Sequence, residues 1–113
     1  MPLAIEDKIY EYLDSTGIKK TNKGYRYLKE AIYMTILNRD LNCEEICLAI
    51  IEKDKHADTG RVITRTTRNI YNSMFYTIRA HYGDKLSVIE YIINGADYAE
   101  RASKSVSKSI WKN

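Results

Sequence analysis

Residues 24–37 read Gly24-Tyr25-Arg26-Tyr27-Leu28-Lys29-Glu30-Ala31-Ile32-Tyr33-Met34-Thr35-Ile36-Leu37. Tyr25, Leu28, Ala31, Ile32, Thr35 and Ile36 recur at steps of three and four, the spacing of one face of an α-helix. This pattern predicts helix 2 from about Tyr25 to Leu37. Upstream, Ile5, Ile9, Tyr12 and Leu13 keep the same spacing and predict helix 1, roughly Leu3 to Asp14. It stops at Ser15-Thr16-Gly17, where glycine can take the left-handed conformation that ends a helix. A lysine-bearing connection from Ile18 to Lys23 then leads to Gly24.

Downstream, residues 38–42 read as a short turn, and Cys43, Ile46, Cys47, Ile50 and Ile51 form the stripe of helix 3. Glu44 and Glu45 fall in its first turn, where the helix dipole favours negative charge. Lys55-His56-Ala57-Asp58 breaks the pattern, and Asp58 or Thr59 can cap a following helix 4. Helix 4 places Ile63, Thr66, Thr67, Ile70, Met74 and Ile78 on its inner side, with Phe75 as a further core anchor, and Gly83 ends it. Leu86, Ile89 and Ile93 mark helix 5, closed by Asn94-Gly95. Ala99, Ala102, Val106 and Ile110 mark helix 6. The expectation is an all-α, compact six-helix fold.

Composition supports that class. The chain has 113 residues, 44% of them hydrophobic, enough for one modest core, so one domain over 1–113 is expected. Five glycines and a single proline, Pro2, permit long helices nearly everywhere. There is no 18-residue apolar run and no basic-then-apolar leader, so no membrane association is expected and a cytoplasmic location is. Cys43 and Cys47 lie four apart on one helix and read as two buried small side chains; helix geometry disfavours a disulfide between them. A metal site joining them to His56 or His81 finds no second pair at ligand spacing. No Ser/His/Asp or Cys/His constellation and no phosphate-binding glycine loop is visible, so the reading is of a non-enzyme with no cofactor, metal or small-molecule substrate.

Charge distribution says more than the net charge of +3. No Asp or Glu occurs from Thr59 to Gly83, a window holding Arg61, Arg65, Arg68 and Arg79, and none from Arg101 to Asn113. Glu6, Asp7, Glu11 and Asp14 crowd the first helix against Lys8 alone. This asymmetry is that of a nucleic-acid binder. A short helix 3, a tight connection and a longer basic helix 4 read as a helix-turn-helix, with the recognition helix from about Thr59 to about Ile78. Arg61, Arg65, Arg68 and Asn72 share one face, with Thr64 and Asn69 flanking it, a surface able to meet guanine edges and phosphates in duplex DNA, and Thr59 at the helix start is a further candidate DNA contact. Lys23, Arg101, Lys104 and Lys108 are possible phosphate contacts. For the basic C-terminal helix, a phosphate-contacting role and a merely solvated surface both stay open. Most of the ten tyrosines read as packing residues: Tyr25 and Tyr71 near the core, and Tyr10, Tyr91 and Tyr98 at its boundary.

The block Gly24-Tyr25-Arg26-Tyr27-Leu28-Lys29-Glu30-Ala31-Ile32, with Gly17-Ile18 upstream so that Gly17 to Gly24 spans eight residues inclusive, resembles the Gly-Tyr-x-Tyr-Leu-Arg-Glu-Ala-Ile motif of the C-terminal effector domain of the sporulation master response regulator, the stage-zero sporulation protein A family. Arg65-Thr66-Thr67-Arg68-Asn69-Ile70 resembles the Arg-x-x-Arg core of its recognition helix, and Phe75 stands where that family has a tryptophan. The resemblance covers roughly residues 5–80. It implies DNA binding through helices 3 and 4, self-association of adjacent copies on tandem sites, and transcription regulation linked to sporulation or a related developmental programme. Two registers stay open: pairing from Arg65 and Arg68 puts Val62 and Thr64 at a base-reading Arg and an acidic position, whereas pairing from the upstream turn puts Arg61-Val62 on an Arg-Val pair. No receiver domain is present in this sequence. The competing reading is a protein-interaction module whose basic helix 4 docks an acidic partner.

Overall fold

The computed structural model describes the backbone of residues 2–57 and 66–111 and the side chains of residues 5–54 and 66–103. Five α-helices make up the described residues: α1 (Pro2–Ser15), α2 (Gly24–Leu37), α3 (Cys43–Ala57), α4 (Thr67–Tyr82) and α5 (Val88–Trp111). α2 is the hub and packs against each of the other four. Its sequence explains that position, because Tyr25, Tyr27, Leu28, Ala31, Ile32 and Thr35 are all buried, more than one stripe's worth of surface. Even Lys29 and Glu30 are covered. Their burial is compensated by pairing: Lys29 Nζ donates to Glu30 at 3.0 Å and to Glu6 of α1 at 3.4 Å, and Lys53 of α3 donates to the second Glu30 oxygen. One charged cluster thus ties three helices together.

Local chemistry sets the helix ends. At the close of α1, Gly17 takes φ 87°, its amide donates to Asp14, and the Ile18 amide donates to Leu13. That is a Schellman motif, completed by the burial of both Leu13 and Ile18. α3 opens with a capping box in which Asn42 and Glu45 exchange side-chain-to-amide bonds at 2.8 and 3.0 Å, and Ser87 and Glu90 do the same at the start of α5. Gly83 closes α4 at φ 60°.

The expectation of six helices is wrong. Residues 94–95 do not separate two helices, and α5 runs unbroken for 24 residues. Gly95 is there for space rather than for a turn: a Cβ on it would lie 2.6 Å from Ile32 Cδ1 and 2.9 Å from Tyr12 Cε2. Its φ is not positive. Without a left-handed residue nothing terminates the helix, and the absent side chain lets α5 approach α1 and α2.

The beginning of helix 4 is also corrected. Thr66 is extended (φ −96°, ψ 162°) and its hydroxyl accepts from the Asn69 amide, so Thr66 is the N-cap and not an inward residue. Meanwhile α3 extends to Ala57 and α4 begins at Thr67; the expected connection of a helix-turn-helix falls on residues 58–65, outside the described residues. Asp58 and Thr59, the expected caps, lie outside the described residues.

The inner face of α4 is Ile70, Met74, Thr77 and Ile78. Phe75 is only half-buried, near Tyr71 and Tyr76 and under the Arg79 guanidinium. Tyr91, expected at the boundary, is fully buried. Its hydroxyl lies 2.6 Å from that of Thr16, and burial pushes the phenol well above its ordinary range. Among the described residues no helix is long and apolar enough to cross a membrane.

Candidate nucleic-acid interface

With its apolar side sunk into the core, α4 presents the opposite side to solvent. Arg68 and Asn69 are exposed, Asn72 is half-buried one turn further on, and Tyr76 is 66% exposed beyond it. Arg68 and Asn72 are four apart and so share a face. Asn69 follows the Thr66 cap, and its carbonyl accepts from the Ser73 hydroxyl at 3.0 Å. No acidic residue occurs within α4. Arg79 is less available than Arg68, since its guanidinium stands 3.4 Å from Asp84 and 5.7 Å from the centre of the Phe75 ring.

The α1–α2 connection is held against this helix at both ends. At one end, a Cβ on Gly24 would come within 2.5 Å of Thr77 Oγ1 and 2.7 Å of the Ser73 carbonyl oxygen, so only glycine permits the approach. At the other end, His81 Nε2 lies 2.8 Å from the Gly17 carbonyl while Nδ1 lies 3.1 Å from that of Thr77. Between the two anchors, Asn22 caps the local turn by accepting from the Lys19 amide at 2.8 Å. Lys19, Lys20 and Lys23 are exposed on this connection. Among the described residues they and Arg68 enter no ion pair.

The residues named from sequence divide into three groups. Arg68, Asn69 and Asn72 come together on α4, and the anchored connection brings Lys23 to the same helix. Thr59, Arg61, Thr64 and Arg65 lie outside the described residues, as do the side chains of Lys104 and Lys108. Arg101 is exposed elsewhere on α5, donating to the Asp97 carbonyl at 3.4 Å. It shares a polar depression with Arg39, Asp97 and Glu100, where Arg39 is paired to both acids at 2.8 and 2.6 Å. The acidic neighbours offset the charge of Arg101.

Lys19, Lys20 and Tyr76 were not singled out by the sequence reading. The signal for the lysines was Gly24 itself: a glycine at a helix start, with no turn that requires it, marks a close helix–helix approach and brings the preceding loop along.

Among the described residues, the fold and this surface are those of a five-helix all-α domain, with an acid-free α4 beside a lysine-bearing connection that enters no ion pair there. Comparison with models of known protein families, with curated proteins and with solved structures finds no match.

Proposed function

We propose that this domain binds duplex DNA, with the outer face of α4 against the bases and the α1–α2 connection on the phosphate backbone. The observation that carries the reading is the double anchoring of the connection to the acid-free helix, at Gly24 and at Gly17–His81, with three exposed lysines on it that enter no ion pair among the described residues. Arg68 and Asn72 supply a guanidinium fork and an amide of the kind that read guanine and adenine edges. Flexible ammonium groups on the loop serve as point charges for phosphate. The resemblance of residues 24–32 to the sporulation regulator's effector domain adds a role: transcription regulation, with adjacent copies on tandem sites.

The test is anisotropy with labelled duplexes over a salt series. Log affinity should fall linearly with log salt, by about 0.9 per phosphate neutralised. Arg68→Ala should lower affinity for a site selected from a random pool by about 1–3 kcal/mol and leave binding to scrambled duplex nearly unchanged. Failure to bind any duplex at low salt would favour an acidic protein partner for the same surface.

A further inference from the structure

A cleft of about 210 Å³ opens between the start of α3 and the start of α4, lined by Cys43, Glu44 and Cys47 on one side and Thr67, Arg68 and Tyr71 on the other. Both cysteines are free thiols; Cys43 is half-buried at the cleft and Cys47 is buried beneath it. We propose that Cys43 and Cys47 form a two-thiol site for trivalent arsenicals, or for a thiophilic species that likewise closes a neutral ring across two thiols. This inference is independent of DNA binding.

Three features carry it. Residues four apart on a helix stand one above the other with Cβ atoms about 5–6 Å apart, beyond the roughly 3.5–4.5 Å that a disulfide requires. A single bridging atom adds two bond lengths between the sulfurs and spans that gap. Second, both free cysteines line the same cleft, and Cys43 is only half-buried, so a small reagent can reach the pair. Third, the walls are mainly apolar and favour an uncharged product. Burial pushes the Cys47 thiol up to about 11, with a smaller contribution from neighbouring Cys43, and raises Cys43 too. A site for a hard or borderline divalent cation would need both thiols ionised. An arsenical consumes them as neutral thiols.

With phenylarsine oxide as the probe, the two S–H bonds and the arsenic–oxygen bond break and two arsenic–sulfur bonds form. Oxygen leaves as water with both thiol protons, and arsenic stays trivalent. Cys43, reachable from the cleft, attacks first, and Cys47 closes the ring.

The experiment titrates the reduced, folded chain with phenylarsine oxide, reading intact mass and the number of thiols left for a disulfide reagent after unfolding. The expected adduct is one phenylarsenic per chain with loss of one water and of both thiols. Cys43→Ser and Cys47→Ala should each weaken binding about 100-fold or more, because the second bond is intramolecular. Circular dichroism checks their fold, and Cys43→Ser, at the less buried position, decides the matter should Cys47→Ala unfold. The folded chain should also bind more tightly than the same chain in urea, where the helix no longer holds the thiols on one face. Undiminished binding by the folded Cys43→Ser variant, or affinity no greater than in urea, would overturn the proposal.

Discussion

Two small features, Gly24 and Glu30, show how single residues position the surface. At Gly24 the nearest atoms to an added Cβ include backbone, the Ser73 carbonyl, which cannot swing aside. Gly24→Ala should therefore push α2 from α4 and destabilise the domain by about 2 kcal/mol, measured by urea unfolding, despite alanine's better helix propensity. The loop lysines move with it, so DNA affinity should fall in a variant that never loses a charge. At Glu30, burial by itself would raise the carboxyl, but hydrogen bonds from Lys53 and Lys29 outweigh it and hold the group below the usual carboxylate range. A depressed carboxylate stabilises the fold above its unfolded pKa, and that contribution is lost as pH falls through the folded value. Stability should thus hold near neutrality and drop below about pH 4, the ordinary Glu range. Glu30→Gln should be less stable at pH 7 by about 3 kcal/mol, since Lys29 keeps its burial but loses a charged partner. Urea midpoints at pH 7 and pH 3 check this: the gap between wild type and variant should narrow in acid, and a constant gap would refute the assignment.

At the scale of elements, α5 is the informative case. Its start is written locally in Ser87 and Glu90, but its passage through Gly95 depends on α1 and α2. Gly95→Ala relieves a helix-interior glycine, which favours the variant by about 1 kcal/mol. It also drives a methyl into Ile32, which is fully buried and has nowhere to turn, at a cost of about 1–3 kcal/mol. Net destabilisation of about 1 kcal/mol is expected from thermal unfolding. A more stable Gly95→Ala protein would mean that the α5 contact is looser than these distances describe. α4 shows the complementary lesson. Periodicity identified its inner face from Ile70 onward, whereas its first residue was set by the Thr66 cap, which the longer apolar pattern obscured.

For the whole molecule the question is where charge ends up. α1 carries exposed Asp7, Glu11 and Asp14, while the connection after it carries Lys19, Lys20 and Lys23, so the sign of the surface changes across one Schellman turn. Replacing the three lysines together with alanine should weaken selected and scrambled duplexes alike and shallow the salt slope by about 0.9 for each lysine that touches phosphate. Unfolding midpoints should barely move, because all three are exposed and none is paired among the described residues. An unchanged salt slope would detach the loop from the DNA and leave α4 alone.

The sequence by itself determined the all-α class, the positions and apolar faces of α1 and α2, the start and apolar face of α3, and the ends at Gly17 and Gly83. Each of these rests on local spacing or on a backbone conformation that glycine adopts without strain. It also marked Arg68, Asn69 and Asn72 as outward-facing, since the face opposite an apolar stripe follows from helix geometry. Tertiary structure decided the rest. Whether Gly95 ended a helix or accommodated a neighbour depended on Ile32 and Tyr12, distant in the chain. Whether Tyr91 stood at the boundary or in the core depended on Thr16 coming to meet its hydroxyl. The alignment of the lysine connection with α4 depended on His81 reaching back to Gly17. These outcomes arise from contacts between segments far apart in sequence, and neither helical periodicity nor local residue chemistry encodes which segments meet.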